Sequence, residues 1–158
     1  MPANHHESMI KVLQDFRVVL RSIKQHYEWV ERRTGMGGAQ LWALSEIADS
    51  PGIKASELAE RLAIHRSTAS NMLKRLVMMK LVTRDRTGED QREVRLRLTA
   101  LGTRALQKAP GPRSGVLQQA LLDLPPARLA ALRKELQALL RVMKGKSEKA
   151  RTMFLADI

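Results

Sequence analysis

Apolar residues at the start of the chain recur as Met9, Val12, Leu13, Phe16, Val19, Leu20, Ile23, Tyr27 and Val30, steps of three and four that draw one stripe along a helix. The pattern predicts a helix from Ser8, acting as its cap, to about Arg33, ended by Gly35, Gly37 and Gly38. At 1.5 Å per residue it would be ~39 Å long, more than a small domain can cover, so part of the stripe should face a second copy. A second helix, roughly Ala39 to Ala48, turns Leu41, Leu44 and Ile47 inward and stops before Ser50-Pro51-Gly52.

The stretch SELAERLAIHRSTASNMLKRLVMMKLV reads as two more helices one tight turn apart. Leu58, Ala59 and Leu62 define the first; after Ala63-Ile64-His65, the second buries Ala69, Met72, Leu73, Leu76 and Val77. Its outer face carries Ser67, Ser70, Asn71, Lys74, Arg75 and Met78, and no acid. Short polar side chains flanked by cations suit a DNA major groove, where bases offer donors and acceptors and phosphates attract positive charge. Leu81 to Asp85 and Glu93 to Leu98 then alternate as a hairpin, with Val94, Leu96 and Leu98 on one side and Glu93, Arg95 and Arg97 on the other; Gly88 permits the turn. The hairpin carries five arginines, at 84, 86, 92, 95 and 97. Arg95 and Arg97 are read as edge decoration against aggregation and left out of the interface.

Thr99 suits the N-cap of a helix through about Lys108, broken by Pro110-Gly111-Pro112. Val116 to Leu122 resumes the run, Leu124-Pro125-Pro126 interrupts it, and a last helix reaches about Lys144. There Leu129, Leu132, Leu136, Leu139 and Met143 form the narrow seam of helix-to-helix contact. The residues GKSEKARTMFLADI are expected to fray or to swap contacts with a partner.

A formal charge of +12 points to a polyanionic partner, and its distribution sharpens the picture. Residues 1–60 hold 7 basic and 8 acidic groups, residues 61–97 hold 10 and 4, and residues 98–158 hold 11 and 4. The middle excess falls on the helix pair and hairpin; the later one is read mainly as solubility. With 0 cysteines, disulfides, thiolate metal sites and thiol redox chemistry are excluded. MPANHHES lacks the pattern of a targeting segment and no apolar run is membrane-length, so a cytoplasmic location is expected. No paired acids, phosphate loop or Ser/His/Asp arrangement supports catalysis, and His5, His6, His26 and His65 are too scattered for a metal; no enzyme activity, cofactor or metal is expected.

Helix, tight turn, helix and basic hairpin is the order of a winged helix-turn-helix, and over nearly its whole length the chain resembles a MarR-type transcriptional regulator. SELAERLAI, HRSTASNMLKRL, LVTRDRTGEDQREVRLRLTALG and LDLPPARLAALRKEL carry the resemblance; Asp90-x-Arg92 followed by Leu98-Thr99-x-x-Gly102 is its most specific part. The resemblance implies a mostly α fold with a small β-hairpin wing. Residues 1–34 would form an N-terminal dimerisation helix, 35–99 the DNA-binding winged helix-turn-helix and 100–158 the C-terminal dimerisation helices of one compact chain. It further implies a homodimer on a pseudo-palindromic DNA operator, a repressor released by a small aromatic or lipophilic effector. Ser67, Ser70 and Asn71 would read bases; Arg66, Lys74, Arg75 and Arg84 would hold phosphates; Arg86 or Arg92 would enter the minor groove, with Asp90 orienting the wing arginine.

Three residues depart from the family pattern: Asn71 where arginine is frequent, Lys74 where an acid is frequent, and Lys80 where a helix-ending glycine is usual. Base preference is therefore not carried over, and a different cap is expected at Lys80. Tyr27, Trp29, Arg33 and Trp42 would line an effector pocket; for the tryptophans ordinary core burial is the competing reading. For the whole chain the alternatives are a sequence-tolerant architectural DNA-binding protein and a winged-helix protein-interaction module, which share the charge but not the selectivity.

Overall fold

The computed structural model describes residues 3–86 and 93–158. Helix α1 runs over Ala3–Thr34, so Ser8 is no cap: it lies inside the helix and donates its hydroxyl to the Asn4 carbonyl. The real stop is Thr34, whose hydroxyl donates to the Val30 carbonyl and accepts the Met36 amide, followed by Gly35 at a φ of 70°. Helices α2 (Gly38–Asp49), α3 (Ala55–Arg61) and α4 (Arg66–Met78) follow. Arg61 binds α3 to α2 through Glu46 and the Ser50 hydroxyl.

Strands β1 (Ile53–Lys54), β2 (Val82–Asp85) and β3 (Arg95–Leu98) make a three-stranded antiparallel sheet in the order β1-β3-β2. The hairpin register pairs Val82 with Leu98 and Asp85 with Arg95, while Ile53 pairs with Leu96 on the other side. β3 is therefore the central strand, which corrects the reading of Arg95 and Arg97 as edge residues. Arg95 donates to the Gly52 carbonyl and pairs with Glu93, and Glu93 in turn pairs with Lys54. The Lys54 hydrogen bond above all, helped by the charges of Lys54 and Arg95, holds the Glu93 carboxyl below its ordinary range.

The core gathers Val30 and Met36, the inner faces of α2 to α4, and Val82 and Leu96 from the sheet. Of the inner face predicted for α4, Ala69, Met72, Leu73 and Leu76 are buried and Val77 is half-buried at the margin. Helix α5 (Ala100–Lys108) begins on Thr99, whose hydroxyl accepts the Gly102 amide at 2.9 Å, the cap expected from the sequence. Helices α6 (Val116–Asp123) and α7 (Pro126–Val142) follow the break at Pro110-Gly111-Pro112. The segment beyond α7 is not frayed. Two 3-10 turns, Glu148–Thr152 and Leu155–Asp157, return it to the body, and Phe154 is buried in the chain's own core.

Both helices of the helix-turn-helix end in the left-handed region without glycine, at Ala63 (φ 54°) and Lys80 (φ 59°). At α4, Lys80 donates to the Val77 carbonyl and Leu81 to the Leu76 carbonyl, the Schellman closure usually given to glycine. The expectation of a different cap is thus corrected: lysine adopts the glycine geometry. A left-handed non-glycine residue costs roughly 1–2 kcal/mol, and glycine gives back roughly 0.5–1 kcal/mol through unfolded-chain entropy. Lys80→Gly should therefore raise the unfolding free energy by about 0.5–1 kcal/mol in urea titration. A lower midpoint would mean that contacts of the lysine side chain outweigh the backbone strain.

Candidate nucleic-acid interface

The acid-free face of α4 is free in the folded chain: Ser67, Ser70, Asn71, Lys74, Arg75 and Met78 are all exposed. One flank of this face meets the wing. Arg66 and Ser70 of α4, Arg84 of β2 and Ser56 of α3 line one cleft of about 210 Å³ floored by Ala69, Leu73 and Val94. Arg84 also reaches α4 directly, its guanidinium lying 3.5 Å from the Ser70 carbonyl. Helix and wing therefore present positive charge to the same side. The sequence reading missed Ser56, because nothing local in α3 signals that the sheet brings it beside Arg66 and Arg84.

The opposite flank holds Thr68, Asn71 and Arg75, in steps of three and four. They line a second cleft, about 350 Å³, with Gly37 to Gln40, Met72, Phe154 and Asp157. Thr68 was also missed, although its spacing to Asn71 and Arg75 was available. Arg86 is exposed at the edge of the described wing; Asp90 and Arg92 lie outside the described residues. Arg97 stands 3.9 Å from Asp85, a distant pair on an exposed surface and worth little.

Residues expected around an effector are not gathered in one place. The Tyr27 ring covers Gly38, where a Cβ would collide with it, and its hydroxyl accepts from Gln118 at 3.3 Å. Trp42 packs against the core and donates its indole N–H to Glu46, while Trp29 is exposed beside His26. Arg33 lines a cleft of about 280 Å³ with Thr34, Leu101, Arg104, Ala105 and Lys108, so three cations surround a small apolar floor. Burial lowers the pKa of His26, against a smaller upward pull from the Pro112 carbonyl, and keeps the ring neutral at pH 7. Among the described residues no three His, Asp or Glu side chains converge as a metal site, and no helix is long and apolar enough to cross a membrane.

A helix-turn-helix backed by a small antiparallel sheet, with long helices on either side, defines a winged helix-turn-helix protein. Within this chain residues 34–93 match the family model described as "MarR family". The chain is similar to the HTH-type transcriptional repressor MdtR of Bacillus subtilis, 26% identical over 119 residues that cover 73% of this chain and 77% of the relative. Its fold is similar to that of a MepR-like protein complexed with pseudoligands, at a TM-score of 0.59 and 20% identity over 90% of this chain and 99% of the other. A mutant S. aureus MepR bound to an oligodeoxyribonucleotide aligns at a TM-score of 0.53 and 19% identity over 84% and 98%.

Proposed function

We propose that this chain is a sequence-specific DNA-binding transcriptional regulator, a repressor that works in the cytoplasm as a homodimer on a pseudo-palindromic operator. The observation that carries the reading is the cleft shared by Arg66, Ser70 and Arg84, which sets the α4 face and the wing on one side of the molecule. Similarity to MdtR, a transcriptional repressor, and to a MepR solved on DNA supports it. The chain acts by binding and not by catalysis.

In this reading Ser67, Ser70 and Asn71 face base edges, Arg66, Lys74, Arg75 and Arg84 hold phosphates, and Arg86 or Arg92 enters the minor groove with Asp90 orienting the wing arginine. Two copies of α4 would lie ~34–36 Å apart to enter successive major grooves of one duplex face. Dimerisation falls to the first half of α1 together with α6 and α7. Val12, Leu13 and Phe16 on α1 and the leucine seam on α7 are all exposed in the single chain, although their spacing is that of buried contacts.

A small effector with an acidic group and an apolar body would suit the cleft of Arg33, Arg104 and Lys108, at the junction of α1 and α5. By favouring a dimer whose α4 spacing misses the grooves, it would lower operator affinity through a population shift. Tyr27 lies at a different junction, fixing α1 against Gly38 of α2 and Gln118 of α6.

Selection from randomised duplexes tests the reading. The wild-type chain should enrich a two-fold symmetric motif, and Asn71→Ala should change the preferred bases while leaving the salt dependence of binding nearly unaltered. A flat profile for the wild-type chain would indicate a sequence-tolerant DNA binder, and an unchanged profile for the variant would remove Asn71 from base reading.

A further inference from the structure

The segment after α7 is tied to the rest of the chain at two points and braced once within itself. Lys146 donates to the Leu140 carbonyl, tying the segment to the end of α7. Glu148 accepts a hydrogen bond from Arg151, which closes the first 3-10 turn. Phe154 enters the core that includes Met36, Leu41 and Met72. That anchor puts Asp157 in the cleft whose other wall is Thr68, Asn71 and Arg75 of α4.

The placement is unusual in charge. Helix α4 carries no acid over Arg66–Met78, and Asp157 supplies a carboxylate to its flank from a distant part of the sequence. Asp157 and Arg75 both line this cleft, and among the described residues neither makes an ion pair within 4 Å. A DNA strand seated on α4 carries one phosphate charge per ~3.4 Å of axis, and a phosphate drawn to Arg75 meets that carboxylate.

We propose that residues 148–158 form a restraining strap on the recognition helix, moored by Phe154, in which Asp157 holds down the affinity of Arg75 and its neighbours for the DNA backbone. The strap begins where α7 ends, so a rearrangement of the dimer helices that pulls on Lys146 would lift Asp157 from the cleft and raise DNA affinity. The inference rests on the DNA-binding reading above and adds to it a positioning residue outside the winged domain.

The test measures binding of the full chain to a fluorescent mixed-sequence 30-bp duplex over a salt series, with thermal melts of each variant as the folding control. For a carboxylate taken to sit ~8 Å from a DNA phosphate, at an effective dielectric constant of 40–80, one unit of charge changes affinity roughly 2- to 6-fold. Asp157→Asn should tighten binding by about that factor, and Asp157→Lys by about its square, with both gains shrinking as salt rises. Phe154→Ala should free the strap and also tighten binding, at the expense of melting temperature. Unchanged affinity in both Asp157 variants, or gains insensitive to salt, would overturn the strap; so would weaker binding by a folded Phe154→Ala chain, which would make the segment a support. If neither the wild-type chain nor Asp157→Lys binds the duplex, the DNA-binding reading fails and the strap fails with it. Wild-type binding that Arg75→Ala weakens and Asp157→Lys leaves unaltered would retain DNA binding and reject the strap alone.

Discussion

Replacing Leu132 and Leu136 together by aspartate should convert the protein to a monomer at micromolar concentration and lower its operator affinity by roughly 10²- to 10⁴-fold, the advantage lost when two linked half-site contacts become one. The physical basis is the state of α7 in the single chain. Leu129, Leu132, Leu136 and Leu139 retain 38–40% of their surface, and no residue of the helix is buried. A helix with steps of three and four leucines and no intramolecular cover is stable where another helix covers it. Two aspartates per chain would place four carboxylates in the seam of a dimer, each requiring desolvation or protonation. Neither leucine contributes to the core of its own chain, so the monomer should keep its helical content. Sedimentation velocity reads the association state. A dimer that survives the double substitution would assign the interface to another surface.

Gly102→Ala should cost about 2–4 kcal/mol, the range for a forced close contact together with a displaced hydrogen bond, and lower the melting temperature by about 5–15 °C. A Cβ on Gly102 would fall onto the Leu81 carbonyl oxygen. That oxygen cannot simply withdraw, because it accepts the Thr99 amide at 3.0 Å. Thr99 also donates its hydroxyl to the Lys80 carbonyl at 2.7 Å and caps α5 through the Gly102 amide. The end of α4, the start of β2, the end of β3 and the start of α5 thus meet in one knot of backbone bonds. One methyl group there would separate the recognition helix from the wing, so DNA binding should weaken along with stability. An unperturbed melt would mean that α5 shifts away without disturbing Leu81.

The same knot shows what could be read from the chain. Thr99 as a cap and Gly102 as part of a motif are local features, and so is the acid-free face of α4, because side chains three and four apart must share a side of a helix. The wing strands were legible from their alternation. β1 was not: two residues, Ile53 and Lys54, carry no periodicity, and they become a strand only because Leu96 and Arg95 arrive beside them. That missing strand also turned β3 from an edge into the centre of the sheet and gave Arg95 its Gly52 partner. Phe154 escaped for the same reason. One aromatic residue in a polar stretch does not announce that it returns to a core shared with Met36, Leu41 and Met72, more than eighty residues earlier. Ser8 misled in the opposite way, since a good capping residue in an already helical stretch donates back to the carbonyl four residues before it. The positions of Ser56 and Arg84 around Arg66 depend on how the sheet closes against α4, which no short-range pattern encodes.

The central claim is that the α4 face and the wing form one electrostatic surface for duplex DNA, and the salt dependence of binding tests it most directly. Operator affinity should be measured between 50 mM and 300 mM salt for the wild-type chain and for the triple variant Arg66→Ala, Lys74→Ala, Arg75→Ala. The expected result is a linear fall of log affinity with log salt, shallower in the variant by roughly 0.9 for each phosphate contact removed and by up to about 5 for the six cations deleted from a dimer. Equal slopes for the two proteins would contradict the claim, since the DNA would then be held by some other surface of the molecule.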